Sequence, residues 1–114
     1  MNVIIGYAVQ RARPFVAHHF VPLIDPGIFM KSFPSDHALF AFILATIAYV
    51  YHKKTGSYMY MIALLIALSR VAVGVHYVSD VIAGALIGVC AAIFAIRIIS
   101  HPARAIQRRT NERV

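Results

Sequence analysis

The sequence has 114 residues, of which 61% are hydrophobic, and its mean hydropathy is +0.74. A chain this apolar does not fit an ordinary soluble domain of the same length, so the composition favours membrane-spanning helices. The formal net charge of +7 does not indicate a nucleic-acid partner, because the basic residues lie at the ends of apolar runs and in a C-terminal tail. A single cysteine, Cys90, excludes a disulfide within the chain.

Four apolar stretches organise the chain. The first is too short to cross a bilayer, and the other three approach the roughly 20 residues that a spanning helix needs. We predict one all-α membrane domain over residues 1–114, truncated at its N-terminus: a polytopic transmembrane bundle of about three full spanning helices and a partial N-terminal one. In chain order, the stretches are Val3–Val9, Ala38–Tyr51, Tyr58–Val75 and Val81–Ile99.

The basic residues predict the orientation of these helices. Two lysines lie in the connector His52–Ser57, and a basic tail covers residues 100–114, so both segments should face the cytoplasm. Counting along the helices from the ends of the connector places His37 and Arg70 roughly 20 Å above it. The two side chains should therefore meet on the outer side. The tail itself is best interpreted as an orientation signal that contacts membrane lipids.

The stretch Ser69–Asp80 combines charged and ionisable side chains at a membrane boundary, where such residues mark functional sites. His76 and Asp80 are four residues apart, which on a helix allows the carboxylate to hold one imidazole nitrogen and leave the other free to attack. Arg70 would point away from His76 on a continuous helix, so we expect the backbone to break near Gly74.

A second polar cluster, Pro34–His37, directly precedes an apolar run. Ser35 suits a helix N-cap and Asp36 suits the positive end of the helix dipole, so an ordinary helix start explains both residues. It does not explain His37. A helix N-terminus can hold a phosphate, and a histidine there can donate a proton to a leaving oxygen.

Arg13 precedes Pro14 at the end of the short first stretch, on the predicted outer side. Its guanidinium can clamp phosphate oxygens in bidentate fashion. Together with Ser35, His37 and Arg70, it would form a third wall of an anion pocket.

Residues that recur every four positions lie on one face of a helix. On the helix of the last apolar stretch, this face carries a histidine and an aspartate at the top and only small residues below them. Small residues permit close packing of helices, so this face should press against a neighbouring helix. The face consists of His76, Asp80, Gly84, Gly88 and Ala92.

The three polar clusters resemble the three signatures of the type 2 phosphatidic acid phosphatase (PAP2) superfamily, which also includes vanadium haloperoxidases. Aspartate at position 36, where many members have glycine, resembles the bacterial branch that dephosphorylates undecaprenyl diphosphate, including bacitracin-resistance proteins. The residues that carry the resemblance are Arg13-Pro14, Pro34-Ser35-Asp36-His37, and Ser69-Arg70 with His76 and Asp80.

The resemblance implies a phosphohistidine mechanism on a lipid diphosphate at the extracytoplasmic face of a bacterial inner membrane, without a metal or other cofactor. It implies that His76 attacks phosphorus, Asp80 supports His76, and His37 protonates the departing oxygen. The phosphate would be held by Arg13, Ser35, Asp36 and Arg70.

One position departs from the family pattern. Gly6 stands where the first signature has a lysine, and Arg11 is a partial substitute at a different place. The chain also supplies only the helices that correspond to the tail of the third through the sixth of the family, as a fragment or a shortened relative would. Alternatives are therefore a phosphatase for phosphatidate or phosphatidylglycerophosphate, a non-catalytic membrane protein on the same scaffold, and a haloperoxidase-like oxidant.

Overall fold

The computed structural model describes Val9 and residues 11–19, 21–22 and 32–111, with residues 101–111 described by their backbone alone. Gly6 and the rest of the first apolar stretch therefore lie outside the described residues. The described elements are helical, which confirms the prediction of an all-α fold. They are α1 (Pro14–Ala17), α2 (Asp36–Tyr51), α3 (Lys53–Ala72) and α4 (Val78–Asn111).

Two of these helices are long and apolar enough to cross a membrane: α3, with 20 residues, and the segment Val78–Ser100 of α4, with 23 residues. Helix α2 has 16 residues and spans about 24 Å, which is less than the roughly 30 Å of a hydrocarbon core. Large apolar side chains lie exposed along the helices, as expected for a surface that faces lipid. Among the most exposed are Phe40, Leu65, Leu86, Phe94 and Ile99.

The turn between α2 and α3 is much tighter than the predicted six-residue connector, and that prediction is wrong. Only His52, in an extended conformation, separates the two helices. Its N–H donates to the Ala48 carbonyl at 2.7 Å, and its carbonyl accepts from the Gly56 N–H at 2.8 Å. A Cβ atom on Gly56 would lie 2.1 Å from the Tyr49 Cα, so the missing side chain lets the first turn of α3 lie directly against the end of α2.

The expected break near Gly74 is confirmed. Gly74 has a φ of 75°, in the left-handed region that glycine adopts without a steric cost, and its N–H donates to the Val71 carbonyl at 3.0 Å. The N–H groups of Val75 and His76 both donate to the Arg70 carbonyl at 3.3 Å. The chain therefore folds back on the end of α3, which brings His76 next to the backbone of Arg70.

The predicted small-residue face of α4 packs against α2. A Cβ atom on Gly84 would lie 2.5 Å from the Ser35 carbonyl oxygen, and one on Gly88 would lie 2.5 Å from the Leu39 carbonyl oxygen. Ala92, one turn further along, is buried. The two backbones approach each other closely because glycine stands at both crossing points, and this approach holds the start of α2 against the first turns of α4.

We predict that Gly56→Ala lowers the free energy of unfolding by about 1–3 kcal/mol, because the new methyl group overlaps the backbone of Tyr49. Ser57→Ala is the matched control, since Ser57 is the next residue of the same helix and is exposed. It should change stability by less than about 0.5 kcal/mol. Thermal unfolding of the detergent-solubilised variants measures both, and equal stability of the two variants would contradict the tight turn.

Candidate active site

A buried carboxylate joins three segments of the chain. Asp80, in the first turn of α4, is fully buried. Its Oδ1 accepts a hydrogen bond from the Arg11 guanidinium at 2.9 Å, and its Oδ2 accepts from the Tyr77 backbone N–H at 2.9 Å and from the Ser32 hydroxyl. Its backbone carbonyl accepts from the Ser35 N–H at 3.0 Å. Asp80 therefore ties the chain near residue 11 and the segment before α2 to the start of α4.

Arg11 is the counter-ion of this carboxylate. Besides Asp80, its guanidinium donates to the Ser79 hydroxyl at 2.6 Å and lies 4.0 Å from the centroid of the Tyr77 ring. The sequence suggested Arg11 as a partial substitute, at a different place, for the lysine of the first signature. In the structure Arg11 pairs with Asp80, where its charge offsets that of a buried carboxylate.

The imidazole of His76 is held by a backbone carbonyl. His76 is 7% exposed, and its Nδ1 lies 2.8 Å from the Ser32 carbonyl oxygen. A carbonyl can only accept a hydrogen bond, so Nδ1 carries the proton and Nε2 keeps its lone pair.

This arrangement corrects the expectation that Asp80 itself holds the ring. Asp80 Oδ2 lies 3.9 Å from His76 Nδ1, beyond hydrogen-bonding distance, and is already bonded to Tyr77 and Ser32. The expectation assumed that the two residues share a helix, whereas α4 begins at Val78.

Burial lowers the pKa of His76 below its ordinary value of 6.5. The hydrogen bond to the Ser32 carbonyl raises this pKa, the positive charge of Arg13 lowers it, the Asp80 carboxylate raises it and the charge of His37 lowers it. The net lowering keeps the ring neutral near pH 7, as a nucleophile must be. It also shows that Arg13 and His37 lie within electrostatic reach of His76.

The predicted phosphate-site residues that carry charge, together with His37, interact electrostatically. They are Arg13, Asp36, His37 and Arg70. Burial lowers the pKa of Arg13, the carboxylate of Asp36 opposes this, and the charge of Arg70 lowers the pKa further. The charges of Arg70, Asp36 and Arg13 all act on the His37 imidazole. The structure thus gathers the predicted phosphate-site residues around the end of α3 and the N-terminus of α2.

Two buried polar atoms of this group, Ser35 Oγ and Arg70 Nε, have no hydrogen-bond partner within the described part of the chain. Ser35 is the N-cap residue of α2, as predicted, but its side chain makes no capping hydrogen bond there. A buried polar atom left without a partner is costly and uncommon, so each such atom points to a missing ligand or water. A hydroxyl and a guanidinium N–H are both suited to the oxygens of an anion.

Ser32 was not singled out in the sequence. It stands two positions before Pro34, and its side chain alone gives no sign of a contact with His76. Its contribution comes from a backbone carbonyl, which every residue carries, and from a hydroxyl that reaches a carboxylate 48 positions away. Only the fold reveals such a contact.

The fold and the site together define a membrane-type helical bundle with an arginine- and histidine-lined polar site between helix ends. The family model of the PAP2 superfamily matches residues 1–103. The chain belongs to the PAP2 superfamily, as its three signatures predict.

Several curated proteins are similar to this chain. It is 46% identical over 94 residues to the bacitracin transport permease protein BcrC of Bacillus licheniformis, a match that covers 82% of this chain and 46% of that protein. It is 34% identical over 89 residues to the undecaprenyl-diphosphatase BcrC of Bacillus subtilis, covering 78% and 46% respectively. Phosphatidylglycerophosphatase B of Bacillus subtilis is 31% identical over 99 residues, covering 77% and 46%. The chain therefore spans about half the length of the curated relatives it matches.

The fold is also similar to a solved structure. The crystal structure of a transmembrane PAP2-type phosphatidylglycerolphosphate phosphatase from Bacillus subtilis matches with a TM-score of 0.62 at 27% identity. The match covers 87% of this chain and 52% of that protein. The polytopic membrane fold predicted from the sequence is thereby confirmed.

We predict that Asp80→Ala destabilises the protein by about 1–3 kcal/mol, because it leaves the buried Ser32 hydroxyl and the Tyr77 N–H without their acceptor. Asp36→Ala is the matched control, because Asp36 is an exposed aspartate in the first turn of another helix. It should cost at most about 1 kcal/mol. Thermal unfolding compares the two, and equal losses would show that Asp80 does not join the segments.

Proposed function

We propose that the protein is a lipid phosphatase that hydrolyses undecaprenyl diphosphate to undecaprenyl phosphate through a phosphohistidine intermediate. The observation that carries this proposal is a pair of buried donors, Ser35 Oγ and Arg70 Nε, that have no partner within the described part of the chain. Their residues are linked to the site by their backbones, since the Arg70 carbonyl accepts from the His76 N–H and the Ser35 N–H donates to the Asp80 carbonyl. Donors of this kind fit the oxygens of a phosphoryl group. The adjacent imidazole has its Nε2 lone pair available for attack on phosphorus.

Binding of the terminal phosphate falls to the cationic residues of the group. Arg13 and Arg70 neutralise its charge, and the Ser35 hydroxyl donates to one of its oxygens. The N-terminus of α2 adds the positive end of its dipole. Asp36, the first residue of that helix, takes part through its carboxylate, which acts on Arg13.

The reaction proceeds in two steps. Nε2 of His76 attacks the terminal phosphorus, so that an N–P bond forms while the P–O bond to the lipid phosphate breaks, and His37 gives its proton to the departing oxygen. Water then attacks the phosphohistidine, His37 takes a proton from it, and the N–P electron pair returns to Nε2. The products are undecaprenyl phosphate and inorganic phosphate.

The names of the relatives support this choice of substrate. Relatives from Bacillus subtilis and Sulfolobus acidocaldarius are named undecaprenyl-diphosphatase. The relative named phosphatidylglycerophosphatase B makes phosphatidylglycerophosphate the second candidate. Both substrates have a lipid chain that stays in hydrocarbon and a phosphate head at the interface, which suits a site at the ends of membrane helices.

The charges that predict the orientation of the helices support an extracytoplasmic location for the proposed site. Lys53 and Lys54 begin α3 at the turn opposite the site, and the C-terminal tail carries further arginines beyond Arg97. By the positive-inside rule these segments face the cytoplasm. The site then opens towards the outer leaflet of a bacterial inner membrane.

Phosphate release from undecaprenyl diphosphate by the purified full chain tests the proposal. We expect His76→Ala to lower kcat by at least about 10⁴-fold and His37→Ala to lower it by about 10²–10⁴-fold. His52→Ala is the control, since His52 lies at the turn between α2 and α3 and should keep wild-type activity. Phosphatidylglycerophosphate is assayed in parallel. Activity on no lipid phosphate, or unchanged activity of both site variants, would refute the proposal.

The pH dependence of kcat/KM should report the protonation of His76. Its pKa lies below 6.5 because of burial, so activity should rise with pH through an acid limb below that value. At higher pH activity should fall again, because His37 loses the proton that it gives to the departing oxygen. Arg13→Gln removes a positive charge that lowers this pKa, so the acid limb should move to higher pH in addition to any loss of binding. Steady-state kinetics between pH 4 and 8 measure the limb, and a shift to lower pH would contradict this electrostatic role.

A further inference from the structure

We propose that Ser32 is the positioning residue of His76, acting with its backbone carbonyl on the imidazole and with its hydroxyl on Asp80. In this arrangement Asp80 and Arg11 hold Ser32 in place, and Ser32 holds the imidazole of His76. The proposal rests on the proposed function for its kinetic effect, whereas the geometry on which it stands is independent of the substrate.

The contact between Ser32 and His76 fixes the ring. Both residues are buried, so water does not compete effectively for the 2.8 Å hydrogen bond from Nδ1 to the Ser32 carbonyl. Because this contact favours the tautomer with the proton on Nδ1, Nε2 is the nitrogen that stays unprotonated. If the Ser32 carbonyl rotated away, neither this tautomer nor the orientation of the ring would be fixed.

Ser32 lies outside the helices, so no helical hydrogen bonds hold its carbonyl in place. Two contacts hold the residue instead. Its N–H donates to the Arg11 carbonyl at 3.1 Å, and its hydroxyl donates to Asp80 Oδ2. Arg11 and Asp80 are themselves joined by the 2.9 Å ion pair. The backbone N–H and the side chain of Ser32 are therefore hydrogen-bonded to two residues that form an ion pair with each other.

Asp80 does not replace Ser32 as the group that orients the ring. Its Oδ2 is 3.9 Å from Nδ1 and already accepts two hydrogen bonds. Its direct influence on His76 is that of a nearby charge, alongside the charges of Arg13 and His37. The Ser32 carbonyl is the group that makes a hydrogen bond to the imidazole.

Ser32→Ala tests the proposal, because it removes the hydroxyl and keeps the carbonyl. Without its anchor the carbonyl should hold Nδ1 less well, which lowers the pKa of His76, since this hydrogen bond raises it. We expect the acid limb of kcat/KM to move to lower pH and kcat to fall on the order of 10–100-fold with KM unchanged. Hydrogen–deuterium exchange at the imidazole C2 position, followed by mass spectrometry, measures the pKa of His76 without any substrate.

Two variants serve as controls. Ser32→Thr keeps a hydroxyl and should restore both kcat and the pKa of His76. Ser57→Ala removes an exposed hydroxyl that bonds to the Lys53 carbonyl at the opposite end of α3, and it should leave both quantities unchanged. If Ser32→Ala does not fold, Ser32→Cys takes its place, because a thiol is a much weaker donor of similar size.

The outcomes separate this inference from the proposed function. An unchanged pKa of His76 in Ser32→Ala, or a rise in KM at constant kcat, would overturn the positioning role. A lowered pKa together with a lowered kcat would support it. If the wild-type protein hydrolyses no lipid phosphate, the proposed function fails, and the exchange measurement alone still decides whether Ser32 holds His76.

Discussion

The burial of the Asp80 carboxylate is the constraint on which the rest of the described structure depends. A carboxylate removed from water must be paired and hydrogen-bonded, and Asp80 meets this requirement with Arg11, Ser32 and the Tyr77 N–H. Each partner comes from a different place in the sequence. Satisfying one charge therefore fixes the chain near residue 11, the segment before α2 and the start of α4 relative to one another.

Glycines make this assembly compatible with the packing of the helices. Gly84 and Gly88 allow α4 to approach the backbone of α2, so that the Ser35 N–H reaches the Asp80 carbonyl. Gly74 lets the chain fold back after α3, which brings His76 to the same end of the bundle. The candidate site thus lies where two close helix crossings and one sharp turn meet, and its side chains converge without a dedicated loop.

The sequence predicts some of this arrangement and not the rest. The break at Gly74 is predictable, because an unbroken helix would point Arg70 away from His76. The role of Asp80 is not, because its four-residue spacing from His76 suggests one helix, whereas α4 begins between them at Val78. The tight turn before Gly56 is not predictable either, because the polar residues around it are equally typical of a loop. Ser32 is hidden because a backbone carbonyl leaves no trace in a pattern of side chains.

The proposed phosphohistidine intermediate gives the most direct test of the account, because the account specifies which nitrogen of His76 would carry the phosphoryl group. Because the Ser32 carbonyl occupies Nδ1, brief reaction with a lipid diphosphate labelled at the terminal phosphate should place the label on Nε2 of His76. Rapid quenching in base, followed by chromatography of the two phosphohistidine isomers and mass spectrometry of the peptide, measures this. Label on Nε2 of His76 is the predicted result. Label on Nδ1, on His37 or on no residue would contradict the account.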